Sequence, residues 1–253
     1  MEIQGKTFLI TGGASGLGAA SARILSEAGG HTIIADVDVE HGQRVAKELD
    51  GQFVKVDVTK TDDINVALTV AKDTFGGLHG VINCAGIGVA SRVLGKDGPH
   101  PVDLFERVID VNLIGTFNVI RLSAAMMTTQ QPWEDGERGA IVMSASVAAF
   151  EGQIGQAAYS ASKGGIVGLV LPLAREFARF GIRVIAIAPG IFDTPMLGLL
   201  PEKARASLGA QMPFPSRLGK PSEFGQLVRH IMENTMLNGE VIRIDGAIRM
   251  QPH

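Results

Sequence analysis

The chain has one cysteine, Cys84, one tyrosine, Tyr159, and one tryptophan, Trp133, in 253 residues. A lone cysteine excludes an intramolecular disulfide and suits a reducing compartment. The six histidines are scattered, with no H-x-x-x-H spacing, so no metal site is expected. Basic residues are not in surplus: the net charge is -3. That is no footprint for nucleic acid or for an anionic membrane, and neither partner is expected. No apolar run reaches the ~18 residues that a bilayer span requires. Met1 to Lys6 leads straight into a strand-like run, which leaves no room for a signal or transit peptide. A soluble, intracellular protein is expected. Aromatic residues are only 5%, so the core must be built from aliphatic side chains and alanine.

Apolar residues make up 45% of the chain, ample for a large core, and the 32 glycines signal tight turns and close backbone approaches. Short apolar runs alternate with helical patterns. Strands are predicted at Lys6 to Thr11, His31 to Asp36, Gln52 to Val56, Leu78 to Asn83, Ala140 to Ala145, Ile182 to Ala188 and Val241 to Asp245. Helices are predicted after Gly18, over Val39 to Leu49, Thr61 to Phe75, Leu104 to Met127, Tyr159 to Phe180 and Ser222 to Glu233. Pro172 should kink or break the fifth of these. Leu94 to Asp103, with two glycines and two prolines, reads as a loop. Alternation of this kind means parallel strands joined by right-handed crossovers. The expected fold is α/β: a single doubly wound Rossmann domain over 1–253, with a seven-stranded parallel sheet flanked by helices.

The first strand ends in Thr11-Gly12-Gly13-Ala14-Ser15-Gly16-Leu17-Gly18 and a helix follows. A glycine turn there lets backbone approach a pyrophosphate at the N-terminal end of a helix. The spacing is G-x-x-x-G-x-G, and an ordinary strand-to-helix turn is an equal reading of it. Asp36 ends the second strand, 18 residues beyond Gly18. An acid at that distance is placed to accept hydrogen bonds from ribose hydroxyls and to repel a 2′-phosphate, which favours NAD over NADP. Asp57 and Val58 follow the third strand, where an acid can meet the adenine amino group. Asn83-Cys84-Ala85-Gly86 closes the fourth strand with small residues beside the same place. Cys84 reads as packing, since no histidine neighbours it. Asn112, amid Val108, Val111 and Leu113, is either a satisfied structural amide or a group that holds water. Trp133 reads as a packing residue. Ile191 to Leu218 is apolar and punctuated by proline and glycine, with Met196, Leu197, Leu199, Leu200, Met212 and Phe214. It is either a substrate lid, at about 191–218, or a core-capping helix.

The remaining signal is Tyr159 with Lys163 four residues on. Residues four apart share a helix face. A free phenol titrates near ~10, and a cation beside it lowers that value, so the two read as a proton-transfer pair. Ser146 ends the fifth strand, 13 residues earlier. A competing reading is a serine acyl-transfer site, because Ser160-Ala161-Ser162-Lys163 matches S-x-x-K. No Ser-Asp-Asn, Lys-Thr-Gly or G-x-S-x-G accompanies it.

Taken together, Thr11 to Gly18, Asp57, Asn83 to Gly86, Asn112, Ser146, Tyr159-x-x-x-Lys163 and Pro189-Gly190 resemble the short-chain dehydrogenase/reductase family along the whole chain. Ser146 to Gly168, Pro213 to Gly219 and Asn238 to Met250 are similar to its type 2 3-hydroxyacyl-CoA dehydrogenase subgroup, which also oxidises hydroxysteroids and other secondary alcohols. The resemblance implies an NAD-dependent oxidoreductase that interconverts a secondary alcohol and a ketone, with an acyl-CoA or another hydrophobic alcohol as substrate. It implies catalytic roles for Ser146, Tyr159, Lys163 and Asn112. Tyr159 moves the proton, Lys163 lowers its pKa and holds the nicotinamide ribose, Ser146 binds the reacting oxygen, and Asn112 holds a water. It implies cofactor contacts at Gly12, Ser15, Gly16, Leu17, Gly18, Asp36, Asp57, Val58, Asn83, Cys84, Ala85, Gly86, Tyr159, Lys163, Pro189, Phe192 and Thr194. It also implies a homotetramer. The missing basic N-terminal extension points to a bacterial cytoplasmic relative, with the mitochondrial matrix as the alternative. Asp193 departs from the glycine expected after Pro-Gly-x-Phe. Other readings are a 3-oxoacyl carrier-protein reductase, whose usual NADP preference Asp36 opposes, and a cofactor-binding scaffold without chemistry.

Overall fold

A computed structural model describes residues 1–253 except 97, 134, 199–201 and 253, and omits the side chains of 196, 198 and 203–205. Leu199, Leu200 and the Met196 side chain, named above in the lid, lie outside the described residues.

The strands in the large sheet are β1 (Thr7–Thr11), β2 (His31–Asp36), β3 (Gln52–Lys55), β4 (Gly80–Asn83), β7 (Gly139–Ser144), β8 (Ile182–Pro189) and β9 (Val241–Ile244). They lie in the order β3-β2-β1-β4-β7-β8-β9 and every pairing is parallel. The helices are α1 (Gly16–Glu27), α2 (Val39–Glu48), α3 (Thr61–Phe75), α4 (Val102–Ile109), α5 (Thr116–Thr128), α6 (Ala157–Phe177), α7 (Pro195–Gly198), α8 (Glu202–Ala210) and α9 (Pro221–Glu233). β1 and β8 are buried along their whole length, as strands covered on both faces must be. Successive residues serve opposite faces. Phe8 and Ile10 pack toward α1, α2 and α9, while Leu9 packs toward α3, α5 and α6. That is why β1 reads as a continuous apolar run and not as an alternating one.

The strand order reverses between β1 and β4, and the carboxyl ends of those strands part there to leave a crevice. Gly12 sits at that point with φ 65°, and a Cβ on it would lie 2.7 Å from the Ala85 nitrogen. A Cβ on Gly18 would run into the carbonyl of Gly12. Glycine at both positions lets α1 seat directly on the end of β1.

Three expectations change. The loop at Leu94 to Asp103 contains two paired strands, β5 (Leu94–Gly95) and β6 (Gly98–Pro99), and the next helix starts at Val102. Strands of two residues are too short for any periodicity to mark. The helix predicted over Leu104 to Met127 is interrupted by a π-helical segment, Asp110–Gly115. Such a segment admits an extra residue into the turn, and here it surrounds Asn112, whose amide bonds outside the helix. Pro172 does not break α6. Its neighbours Val170, Leu173 and Ala174 are buried in the core, and that packing outweighs one lost hydrogen bond.

Candidate active site

The crevice holds a cleft of about 730 Å³ that runs across the tips of β1, β4, β7 and β8. Its nucleotide end is built on the turn after β1. Ser15, the N-cap of α1, makes no side-chain capping bond, and Ser15, Gly16, Leu17 and Gly18 line the cleft. First-turn N–H groups of a helix have no carbonyl of their own and carry the positive end of its dipole, so this wall suits an anion. One carboxylate oxygen of Asp36 accepts from Ala14 N at 2.9 Å and the other from Asp38 N at 3.0 Å. Asp36 therefore fixes the glycine turn as well as facing the cleft. Asp57 accepts from Thr59 N and Oγ1 at 3.1 and 2.7 Å, and these bonds hold its carboxyl below the ordinary range. A dinucleotide fits such a wall: a pyrophosphate at the helix end, with acceptors for ribose and adenine beyond it.

The chemical centre lies between β7 and α6. Ser146 caps a short turn, its Oγ accepting from Ala148 N at 3.1 Å. The Tyr159 hydroxyl is hydrogen-bonded to Ser146. Burial raises the Tyr159 pKa, and the Ser146 bond opposes that rise. Lys163 is buried. Its amine donates to the Ser144 carbonyl at 2.7 Å and stands 5.7 Å from the centre of the Tyr159 ring. Burial lowers the Lys163 pKa to about 8. Ser146 thus joins Lys163 as a group placed to act on the Tyr159 hydroxyl. Cys84 lines the cleft with burial pushing its thiol up to about 12, so it is no nucleophile. Ser160 does not line the cleft and its buried Oγ has no hydrogen-bond partner, so the S-x-x-K match has no activated nucleophile.

Two named residues stand elsewhere. Asn83 is buried at the end of β4 and its amide neither lines the cleft nor meets a partner. Strand alternation turns it away, while Cys84, Ala85 and Gly86 after it reach the cleft. Asn112 also lies behind the wall. Its Oδ1 accepts from Ile87 N at 2.8 Å, and its Nδ2 donates to Ile87 O at 2.9 Å and to Ser162 Oγ at 3.1 Å. That amide is satisfied within the protein and clamps the loop after β4 to α6. The other named cofactor residues, Gly12, Val58, Pro189, Phe192 and Thr194 among them, all line the cleft.

The substrate end brings in residues that sequence reasoning missed, Gln153, Gln156, Met250, Val89 and Ala90, together with Leu208 from the segment read as a lid. Gln153 and Gln156 fall inside the Ser146-to-Tyr159 interval, which was a signal available for them. Met250 had none. Trp133 packs under Lys6, 4.2 Å from ring centre to amine, and away from the cleft.

Residues 6–205 match the family described as short chain dehydrogenase. The chain is 54% identical over 254 residues to the 3-hydroxyacyl-CoA dehydrogenase type-2 of Drosophila melanogaster, covering 99% of this chain and 100% of the relative. It is 54% identical over 255 residues to the protein of that name from Homo sapiens, covering 99% and 98%. The crystal structure of 3-hydroxyacyl-CoA dehydrogenase type-2 from Mycobacterium avium superposes with a TM-score of 0.94 at 41% identity, covering 100% of both chains. The chain belongs to the short chain dehydrogenase family, oxidoreductases that act on CH–OH donors with a nicotinamide dinucleotide.

Proposed function

Proceeding from that membership, we propose that the chain oxidises 3-hydroxyacyl-CoA to 3-oxoacyl-CoA with NAD, and reverses the reaction. The observation that carries this reading is the meeting of Ser146, Tyr159 and Lys163 with the glycine turn in one cleft. The relatives named 3-hydroxyacyl-CoA dehydrogenase type-2 support the substrate class. Asp36 supports NAD: its carboxylate faces the cleft, and its neighbour Val37 offers a 2′-phosphate no cation.

Bound nicotinamide supplies the hydride acceptor. With that acceptor in place, the Tyr159 oxygen would take the O–H proton as the carbinol carbon gives up its hydride and becomes a ketone carbon, and it would return the proton in the reductive direction. Ser146 donates to the reacting oxygen and stabilises its developing charge. Lys163 and Tyr159 act as one titrating pair. Burial brings the Lys163 amine down to about 8, so near that pH it can pass on the proton that the phenol takes. Losing it arms the pair for oxidation.

A broader secondary-alcohol or hydroxysteroid dehydrogenase is the second reading. The apolar Val89, Ile191, Leu197 and Leu208 at the substrate end favour it, since they suit many greasy alcohols. A homotetramer is part of the proposal, supported by the exposed apolar Ile114, Phe117 and Leu171 on the α5 and α6 side. The test is a panel of short 3-hydroxyacyl-CoA esters, a hydroxysteroid and 2-butanol, each with NAD and with NADP, on protein of measured solution mass. The expected leader is 3-hydroxyacyl-CoA with NAD, on a tetramer. A faster rate with NADP removes the cofactor assignment, and a faster steroid or alcohol removes the substrate.

A further inference from the structure

Arg243 lies on β9, the edge strand of the sheet, yet its guanidinium is only 24% exposed. It ties three segments together. Its Nε donates to Asp245 at 2.7 Å. Its two terminal nitrogens donate to the Glu151 carboxylate at 2.8 and 3.3 Å, and one of them to Ile248 O at 3.2 Å. Its planar face stands 5.5 Å from the Phe150 ring. Glu151 opens the loop that carries Gln153 and Gln156 onto the cleft, between Ser146 and Tyr159.

The same carboxylate accepts from Met250 N at 3.0 Å. Gln153 Nε2 donates to Gln251 O at 3.0 Å, and Ile154 N to Pro252 O at 2.9 Å. Segment 248–252 is thus stitched along the Glu151 loop, and Met250 lines the substrate end of the cleft. The turn that throws the chain back is strained: Gly246 and Ala247 both have positive φ, 58° and 64°. Ala247 carries a Cβ and bears a cost there. The Asp245 carboxylate accepts from Ala247 N at 3.0 Å and holds the turn. The strained turn and the half-buried ion cluster, to which Arg249 adds contacts with Glu151 and Asp245 at 3.3 Å, hold the segment that carries Met250 to the cleft wall.

We propose that Arg243 is a positioning residue that sets the depth of the substrate pocket by holding segment 248–252, and with it Met250, against the cleft. The proposal rests on reading this cleft as the site for an acyl-CoA or another hydrophobic secondary alcohol. Met250 forms the end wall for the carbon chain. With the clamp released, longer chains gain room and short chains lose their contact. One methylene in an apolar pocket is worth about tenfold to two-hundredfold in selectivity, so a displaced methionine is readable in kinetics.

The experiment uses the full-length protein and its Arg243→Met, Met250→Ala and Met250→Trp variants. NAD-linked oxidation is measured across straight-chain 3-hydroxyacyl-CoA esters and across straight-chain 2-alkanols, with NAD affinity measured alongside. Arg243→Met is expected to raise KM for the shortest substrates about tenfold, far more than it lowers kcat, with NAD affinity unchanged. The ratio of kcat/KM for long over short chains should rise about tenfold. Met250→Ala should move that ratio the same way and Met250→Trp the opposite way. A ratio unmoved by Arg243→Met and Met250→Ala, with either series turned over, overturns the proposal. If only the alkanols are oxidised, the acyl-CoA reading fails and the alkanol ratio decides this one; if neither series is oxidised, both fall. Should Arg243→Met not fold, Glu151→Gln, which weakens the carboxylate holding both Arg243 and Met250 N, takes its place: the same rise in the ratio is expected, and an unmoved ratio overturns the proposal.

Discussion

The nucleotide end of the cleft is held by main chain, and the substrate end by side-chain ions. At the nucleotide end, Gly12 and Gly18 bring β1 and α1 into contact, and Asp36 fastens the turn through Ala14 N across 22 residues of sequence. At the substrate end, Arg243 reaches Glu151 across 92 residues, and Met250 reaches it across 99. A wall made by adjacent strands and one turn admits few sequences. A wall made by remote segments joined through a few charges can be re-cut by changing one of them. One end is therefore suited to a fixed cofactor and the other to a variable substrate.

The largest expected effect falls between the two ends and leaves both standing. Tyr159→Phe removes the hydroxyl that Ser146 contacts and keeps the ring. Turnover should fall ~10²–10⁴-fold, the usual worth of a positioned acid or base, while NAD binds as before by calorimetry. Turnover surviving within a few-fold sinks the assignment of the proton to Tyr159.

The next effect is in pH. With the pair's first proton leaving at about 8, alcohol oxidation should climb about tenfold per pH unit below that value and level above it. The reductive direction needs the proton and should fall through the same range. Lys163→Met removes the partner, so the rising limb should move to higher pH, where burial has pushed the phenol. A limb that stays in place shows that another group titrates.

Asp36→Asn acts on the nucleotide end alone. Hydrogen bonds to a charged group are worth about 1.5–3 kcal/mol, so NAD should bind roughly tenfold to a hundredfold more weakly. Discrimination against NADP should shrink with it. The long-to-short substrate ratio should not move; if it does, the two ends are coupled and the comparison fails.

The contrast also explains what could be read from residues in order. All seven strands of the main sheet, the glycine turn and Asp36 were legible because each is local or lies within one βαβ unit. Asn83 stands off the cleft lining because a motif marks a stretch, whereas strand alternation decides which of its members face the cleft. The π-helical segment escaped because one extra residue in a turn leaves the apolar pattern almost intact. Burial of Lys163, which brings its amine down to about 8, escaped because spacing four residues on sets a helix face and not how deep that face lies. Met250 and Arg243 were invisible because nothing near either residue marks a contact some 99 residues away.

The smallest effect tests whether an ion pair outside the cleft contributes to stability at all. Arg217, at the end of the segment read as a lid, donates to both oxygens of Glu223 at 2.9 and 2.6 Å, and Lys220 N donates to one of them at 2.7 Å. The Arg217 bond holds the Glu223 pKa down to about 2, below the ~4.3 of an unfolded chain. A depressed folded value means stability that is fully present above ~4.3 and is lost as the pH falls toward 2. Both side chains are more than a third exposed or close to it, at 40% and 35%, so solvent screens the pair. Its worth is then small, and Glu223→Gln should lower Tm by no more than about 2–4 °C at pH 7. The gap between variant and parent should close as the pH is lowered through the carboxylate range. A gap that persists in acid would mean that the substitution acts through packing at the start of α9, and side-chain ions would then count for stability only where they are half-buried, as around Arg243.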